Sequence, residues 1–219
     1  MMYKNAVRTL KKNPRAALYS LISTITAVIT AYILGMGGGI WSIVGAAIAA
    51  IIVDTGRTVA LQEMAGKKDI HRVMRRICVD LGFASLAALL IVVLPLTQAF
   101  AVSIGNYHAA TVIGFLWYFL AAVFILFLVE LFRMGYLVAV QGKTLEEALI
   151  ESVRAFRRDK WSEVKRTVLY WAPVSIWVII NAAVAATGST TLAILGIVIM
   201  GAVIIPFMEA TYIVVNREE

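Results

Sequence analysis

The sequence predicts an all-α fold: a polytopic membrane bundle of six transmembrane helices, arranged as three hairpin repeats and joined on the cytoplasmic side by basic amphipathic helices. Three observations carry this reading. Hydrophobic residues make up 61% of the 219 positions and charged residues only 15%, with a mean hydropathy of +0.87. A soluble domain of this length needs more polar surface. Six apolar stretches are long enough to cross a bilayer as helix, at 16–34, 40–61, 81–104, 110–140, 167–187 and 190–214. Finally, apart from Arg57 and Arg133, lysine and arginine fall in the two terminal segments and in alternate connections between the spans.

The N-terminal arm carries Lys4, Arg8, Lys11, Lys12 and Arg15, all ahead of the first span. Within Lys-Lys-Asn-Pro, Pro14 suits the first turn of a helix, where its missing N–H is not needed. The first span has a hydroxyl-rich stripe of Ser20, Ser23, Thr24 and Thr30. It is longer than a signal-peptide core and no A-x-A-like site precedes GMGGG (35–39), so it reads as retained. The second span offers a small-residue face of Gly45, Ala46, Ala49 and Ala50, suited to close helix contact. Lys67, Lys68, Arg72, Arg75 and Arg76 fill the next connection.

Spans three and four are joined by the uncharged SIGNYHAA (103–110), and spans five and six by the uncharged TGSTT (187–191). Between spans four and five lies the most basic connection, with Lys143, Arg154, Arg157, Arg158, Lys160, Lys165 and Arg166. By the positive-inside rule both termini are cytoplasmic, in a cell (plasma or inner) membrane. The formal charge of +7 records that topology and faces anionic headgroups at about 1 kcal/mol per basic residue, rather than nucleic acid. A single cysteine, Cys78, rules out an intrachain disulfide.

The 144–158 connection reads as a helix. Thr144 and Glu147 form a capping box, and Leu145, Leu149, Val153 and Phe156 recur at helical spacing opposite charged positions. Such a helix lies in the headgroup layer, covers the inner mouth of the bundle, or does both. Asp69–Ile77 is a shorter counterpart, and Gly66 and Gly142 fit helix C-terminal caps.

An internal repeat organises the chain. A shift of 76 residues superposes Gly38–Lys67 on Gly114–Lys143, with identities at Gly38/Gly114, Trp41/Trp117, Arg57/Arg133, Gly66/Gly142 and Lys67/Lys143. VRTLKKN (7–13), HRVMRRI (71–77) and VRAFRRD (153–159) share one basic pattern ahead of the odd-numbered spans. The single membrane domain, 1–219, thus divides into units near 1–68, 69–144 and 145–219, related by an axis along the membrane normal. The third unit is degraded, with Glu209 at the acidic position and Tyr212 at the arginine position.

Five embedded charges form the candidate cluster: Asp54, Arg57, Glu130, Arg133 and Glu209. A charge at bilayer depth costs about 2.5–3.5 kcal/mol on insertion scales, so pairing is expected. Two schemes are open: within each helix, or reciprocally, Asp54 with Arg133 and Glu130 with Arg57. Glu209 is left over, either as a proton- or cation-binding carboxylate or as a hydrated carboxylate at the interface. Pro206 just before it favours a kink. Pro95 and Pro173 favour kinks in spans three and five.

No H-E-x-x-H, G-x-S-x-G, Cys/His cluster or phosphate-cradling glycine loop occurs, so the sequence offers no catalytic residues, metal or cofactor. The K-K-N-P arm, the hairpin spans and GKTLEEALIES (142–152) resemble a group of uncharacterised prokaryotic six-helix membrane proteins related to the membrane domain of glycerophosphodiester phosphodiesterases. That resemblance implies a membrane bundle and supplies no catalytic residue. Mitochondrial carriers, with acid–base pairs on proline-marked odd spans, do not fit this pattern. The functional expectation is a non-enzymatic protein that contacts anionic headgroups through Arg72, Arg75, Arg76, Arg154, Arg157 and Arg158, or contacts other membrane proteins or further copies of itself. The alternative is a small transporter or channel built on the embedded charges.

Overall fold

The computed structural model describes residues 2–217, and they form helices joined by short turns, with no strand among them. In order these are α1 (Met2–Lys12), α2 (Pro14–Gly35), α3 (Gly39–Ala65), α4 (Ile70–Ala88), α5 (Leu94–Ser103), α6 (Tyr107–Glu130), the single turn α7 (Met134–Tyr136), α8 (Leu145–Arg158), α9 (Lys160–Ala185), α10 (Thr190–Ile199) and α11 (Ile205–Arg217). Pro14 opens α2. Gly66 closes α3 at φ +69 and Gly142 closes the segment after α7 at φ +76, both conformations that favour glycine. Asp69 caps α4 and the Thr144–Glu147 box caps α8.

Five segments are long and apolar enough to cross a membrane: Pro14–Gly35, Gly39–Ala65, Tyr107–Glu130, Lys160–Val184 and Thr190–Arg217. They mark the chain as a membrane-spanning helical protein. The stretch expected as a third span, 81–104, is not among them. It is divided between α4, a π-helical turn at Leu89–Val93 and α5. The short amphipathic segment expected at Asp69–Ile77 is the first half of α4 and runs straight on into that stretch. Arg75, Arg76 and Asp80 therefore lie on one helix with it.

Two of the three π turns stand in the same relation to a proline. Leu89–Val93 is followed after one residue by Pro95, and Met200–Ile204 after one residue by Pro206. In each the backbone donor reaches five residues back: Leu94 N–H to Leu89 O, and Ile205 N–H to Met200 O. Continued in that register, residue 95 would donate to Leu90 O, but proline has no N–H. The Trp117 indole donates to Leu90 O instead, at 2.7 Å, and so ties α6 to the break.

The core lies toward the end that carries both termini. α11 is its hub and packs on α1, α2, α3, α7 and α9. From Met208 to Val215 every residue is buried. Around it gather Leu61, Met64, Phe132, Tyr136 and Tyr170. Toward the loop ends, large apolar side chains such as Ile29, Ile33, Phe115 and Phe119 are exposed, the surface a bilayer would cover. α2 and α3 are in close contact there and below: a Cβ on Gly56 would sit 1.9 Å from Ser23 Oγ, and one on Gly45 2.8 Å from Leu34.

Candidate functional site: a buried ion cluster

Asp54 and Arg57 sit one turn apart on α3, Arg76 and Asp80 one turn apart on α4, and Glu209 on α11, so packing three helices brings five charges together. Arg76 Nη1 and Nη2 donate to the two oxygens of Glu209 at 3.0 and 3.1 Å. Arg76 Nε reaches Asp80 at 3.3 Å. Arg57 Nη2 lies 2.5 Å from Asp80 and 3.2 Å from Asp54. Arg57 Nε is 3.0 Å from Glu209 Oε1, an ionic contact without hydrogen-bond alignment. The Tyr170 hydroxyl on α9 donates to Glu209 Oε1 at 3.1 Å. Glu209 is 0% exposed, Arg76 1% and Asp54 9%.

The aromatic wall of the cluster holds α7 in place. The Tyr212 hydroxyl accepts from Tyr136 N–H at 2.9 Å and donates to Phe132 O. In an unbroken helix Tyr136 N–H would bond Phe132 O directly, so the phenol is inserted into the ladder where α6 ends. Gly135 leaves room for it: a Cβ there would lie 3.2 Å from the Tyr212 oxygen. The Arg76 guanidinium carbon stands 5.5 Å from the centre of the Tyr212 ring.

Of the five expected cluster residues, Asp54, Arg57 and Glu209 meet. Arg133 lies elsewhere, with its Nε 3.2 Å from Glu163 Oε1, to which Arg166 also donates at 2.6 Å. Glu130 is half-buried, and among the described residues it makes no ion pair. The within-helix pairing is present for Asp54–Arg57, and neither reciprocal pair is found among the described residues. The reason is local: α6 ends at Glu130 and the chain turns through 131–133, so Glu130 and Arg133 lose the shared helix face that Asp54 and Arg57 keep.

Arg76 needs correction. The sequence places it among the headgroup contacts, yet it is inside the protein, gripping Glu209. Arg72 is half-buried, bonded to Asp69 at 3.0 Å and to Val140 O at 2.9 Å. With Gln62, whose amide donates to Ala139 O at 3.2 Å, it satisfies carbonyls of the π turn at Leu137–Gln141. Arg75, Arg154, Arg157 and Arg158 are exposed. Asp80 was not anticipated, and the signal for it was an acid four residues after Arg76 at the start of an apolar run.

Two hollows meet at the cluster. A cavity of about 70 Å³ is lined by Arg57, Arg76, Asp80, Tyr170 and Tyr212 together with apolar side chains of α4, α6 and α9. A groove of about 550 Å³ runs along α2 and α3 past Thr24, Ala27, Ala31, Ala46 and Ala50 to Asp54 and Arg57. Arg57 lines both. Among the described residues no three His, Cys, Asp or Glu side chains are placed to hold a metal ion.

The fold and this site define a membrane-spanning helical protein with a largely buried ion cluster between its helices. No family model, curated protein or solved structure matches the chain.

Proposed function

We infer that this is a non-enzymatic six-span protein of the cell membrane, both termini cytoplasmic, acting through contacts of its basic inner surface with anionic lipid headgroups. The remaining span, third in chain order, is the α4–α5 stretch, its charges gathered at the cytoplasmic end. The three hairpins derive from one repeated unit, a reading supported by the matching left-handed caps at Gly66 and Gly142. The repeat has diverged at the outer end, where α6 begins eight residues before the position equivalent to the start of α3.

One observation carries the functional reading. On α8, Leu145 and Leu149 are left 42% and 41% exposed, while Arg154, Arg157 and Arg158 are exposed beside them. Only Ala148 and Ser152 of that helix are buried. A helix with bare leucines and a basic flank suits the boundary between headgroups and acyl chains. Replacing Arg154, Arg157 and Arg158 together by Gln should weaken binding of anionic over zwitterionic lipid by up to about 100-fold, at about 1 kcal/mol per charge. Native mass spectrometry of the nanodisc-released protein measures it, and unchanged lipid preference overturns the reading.

A second reading, a small transporter, is favoured by the meeting of groove and cavity at Arg57. It requires solute flux in proteoliposomes that falls in Glu130→Gln or Glu209→Gln, and flux unchanged in both defeats it.

A further inference from the structure

The buried cluster does not balance. Three carboxyl groups, Asp54, Asp80 and Glu209, face two guanidiniums, Arg57 and Arg76. Glu209 is fully engaged, since both its oxygens accept from Arg76 and one also accepts from Tyr170. Asp80 is bound by both arginines. Asp54 is different: both its oxygens are buried and neither accepts a hydrogen bond. Its one described ion pair is to Arg57, at 3.2 Å, and the same nitrogen is drawn closer to Asp80, at 2.5 Å. Asp54 Oδ1 and Asp80 Oδ2 thus face one and the same Arg57 nitrogen, which sets the two carboxyls side by side.

We propose that Asp54 and Asp80 form a single-proton binding site, with the proton carried on Asp54 and donated to Asp80. One proton brings the cluster to neutrality and gives the orphaned Asp54 oxygen a partner. Two adjacent carboxyls in a poorly solvated site do not both ionise, because an unmatched buried charge costs several kcal/mol. Every other charged or titratable group of the cluster is engaged. Arg57 on α3 and Arg76 on α4 hold the ionised acids, and Glu209 on α11 and the hydroxyls of Tyr170 on α9 and Tyr212 on α11 are hydrogen-bonded. From α2 comes Thr24, whose hydroxyl donates to Ser20 O. Asp54 also lines the α2–α3 groove. The site therefore binds and releases a proton beside Arg57, the residue that separates groove from cavity.

Infrared spectroscopy of the purified protein in phosphatidylcholine nanodiscs tests this through the C=O stretch of a protonated carboxyl. At pH 7 one such band is expected, and it shifts on transfer to D₂O. Asp54→Asn should abolish it while the protein still folds and melts near the wild type, because Asn is the neutral isostere of the protonated acid. Asp80→Asn should abolish it too, because removing either acid leaves two acids for two guanidiniums and Asp54 then ionises. A merely structural Asp54 would not make the band depend on Asp80. The proposal is overturned if the wild type shows no band, if the band survives in either variant, or if Asp54→Asn does not fold.

Discussion

Arg76 and Glu209 are 133 residues apart in sequence and form a two-pronged pair at 3.0 and 3.1 Å with almost no exposure of either side chain. The pair joins α4 to α11, the hub of the bundle, at the point where Arg57 brings in α3. It ties α4 to the hub from inside the protein.

Breaking one side of that tie leaves a buried charged group without its two strongest hydrogen bonds. Arg76→Gln or Glu209→Leu should each lower stability by about 3–5 kcal/mol, and Arg76→Lys should recover only part of the loss because an ammonium cannot hold both oxygens. Replacing both partners by residues of similar volume, Arg76→Met with Glu209→Leu, should cost less than either truncation alone. Thermal unfolding in detergent, followed by far-UV circular dichroism, measures all four.

Tyr212→Phe removes one oxygen and nothing else. Tyr136 N–H and Phe132 O then lose their shared partner at the end of α6, both in buried surroundings. The expected cost is about 1–3 kcal/mol. Hydrogen exchange should accelerate at Tyr136 and its neighbours rather than throughout the chain. Uniform acceleration with no local change would show that the inserted hydroxyl is not what holds this break.

How much of this was legible in the sequence follows from what each residue's neighbours could say. Asp54, Arg57 and Glu209 stood out because an ionisable side chain deep in an apolar helix is costly wherever that helix packs. Glu130 and Arg133 carried the same signal, but α6 ends at Glu130 and the chain turns through 131–133, just ahead of the place where Tyr212, 80 residues beyond Phe132, enters the ladder. Arg76 hid among the basic residues of a connection between spans, since residues three or four apart share a face only if the helix continues, and α4 runs on through the expected boundary. The hub role of α11 was invisible for a related reason. Met208, Ala210 and Ile213 suit lipid or core equally, and only the positions of the other helices decide between them. The caps at Gly66, Thr144 and Gly142 were readable because their chemistry is local.

The Trp117–Leu90 bond yields a rescue experiment. Trp117→Phe keeps most of the ring and removes the indole N–H, so Leu90 O is left without a donor, at a cost of about 1–3 kcal/mol. Pro95→Ala in the same chain restores a backbone N–H in the register that the π turn requires. The double variant should therefore be more stable than Trp117→Phe alone. If Pro95→Ala shifts stability equally with Trp or Phe at 117, the two sites are uncoupled and the account of this break fails.

The capping box at the start of α8 should make that helix sensitive to acid. Backbone and side-chain hydrogen bonds with Thr144 hold the Glu147 carboxyl below its ordinary value of 4.5. A carboxyl whose folded value is depressed contributes stability that is fully present above the unfolded value and is lost as pH falls through the folded one. The first turn of α8 should therefore fray when pH drops below about 4.5, and amide exchange at Glu147 and Ala148, corrected for the intrinsic pH dependence, should accelerate there relative to the middle of the helix. Glu147→Gln keeps the shape without the charge, and so should remove the pH dependence while leaving the Thr144 cap in place. Because Lys143 pairs with Glu151 one turn further on, Glu151→Gln is the control: it removes a nearby carboxylate outside the box and should leave the acid-induced fraying of the first turn unchanged.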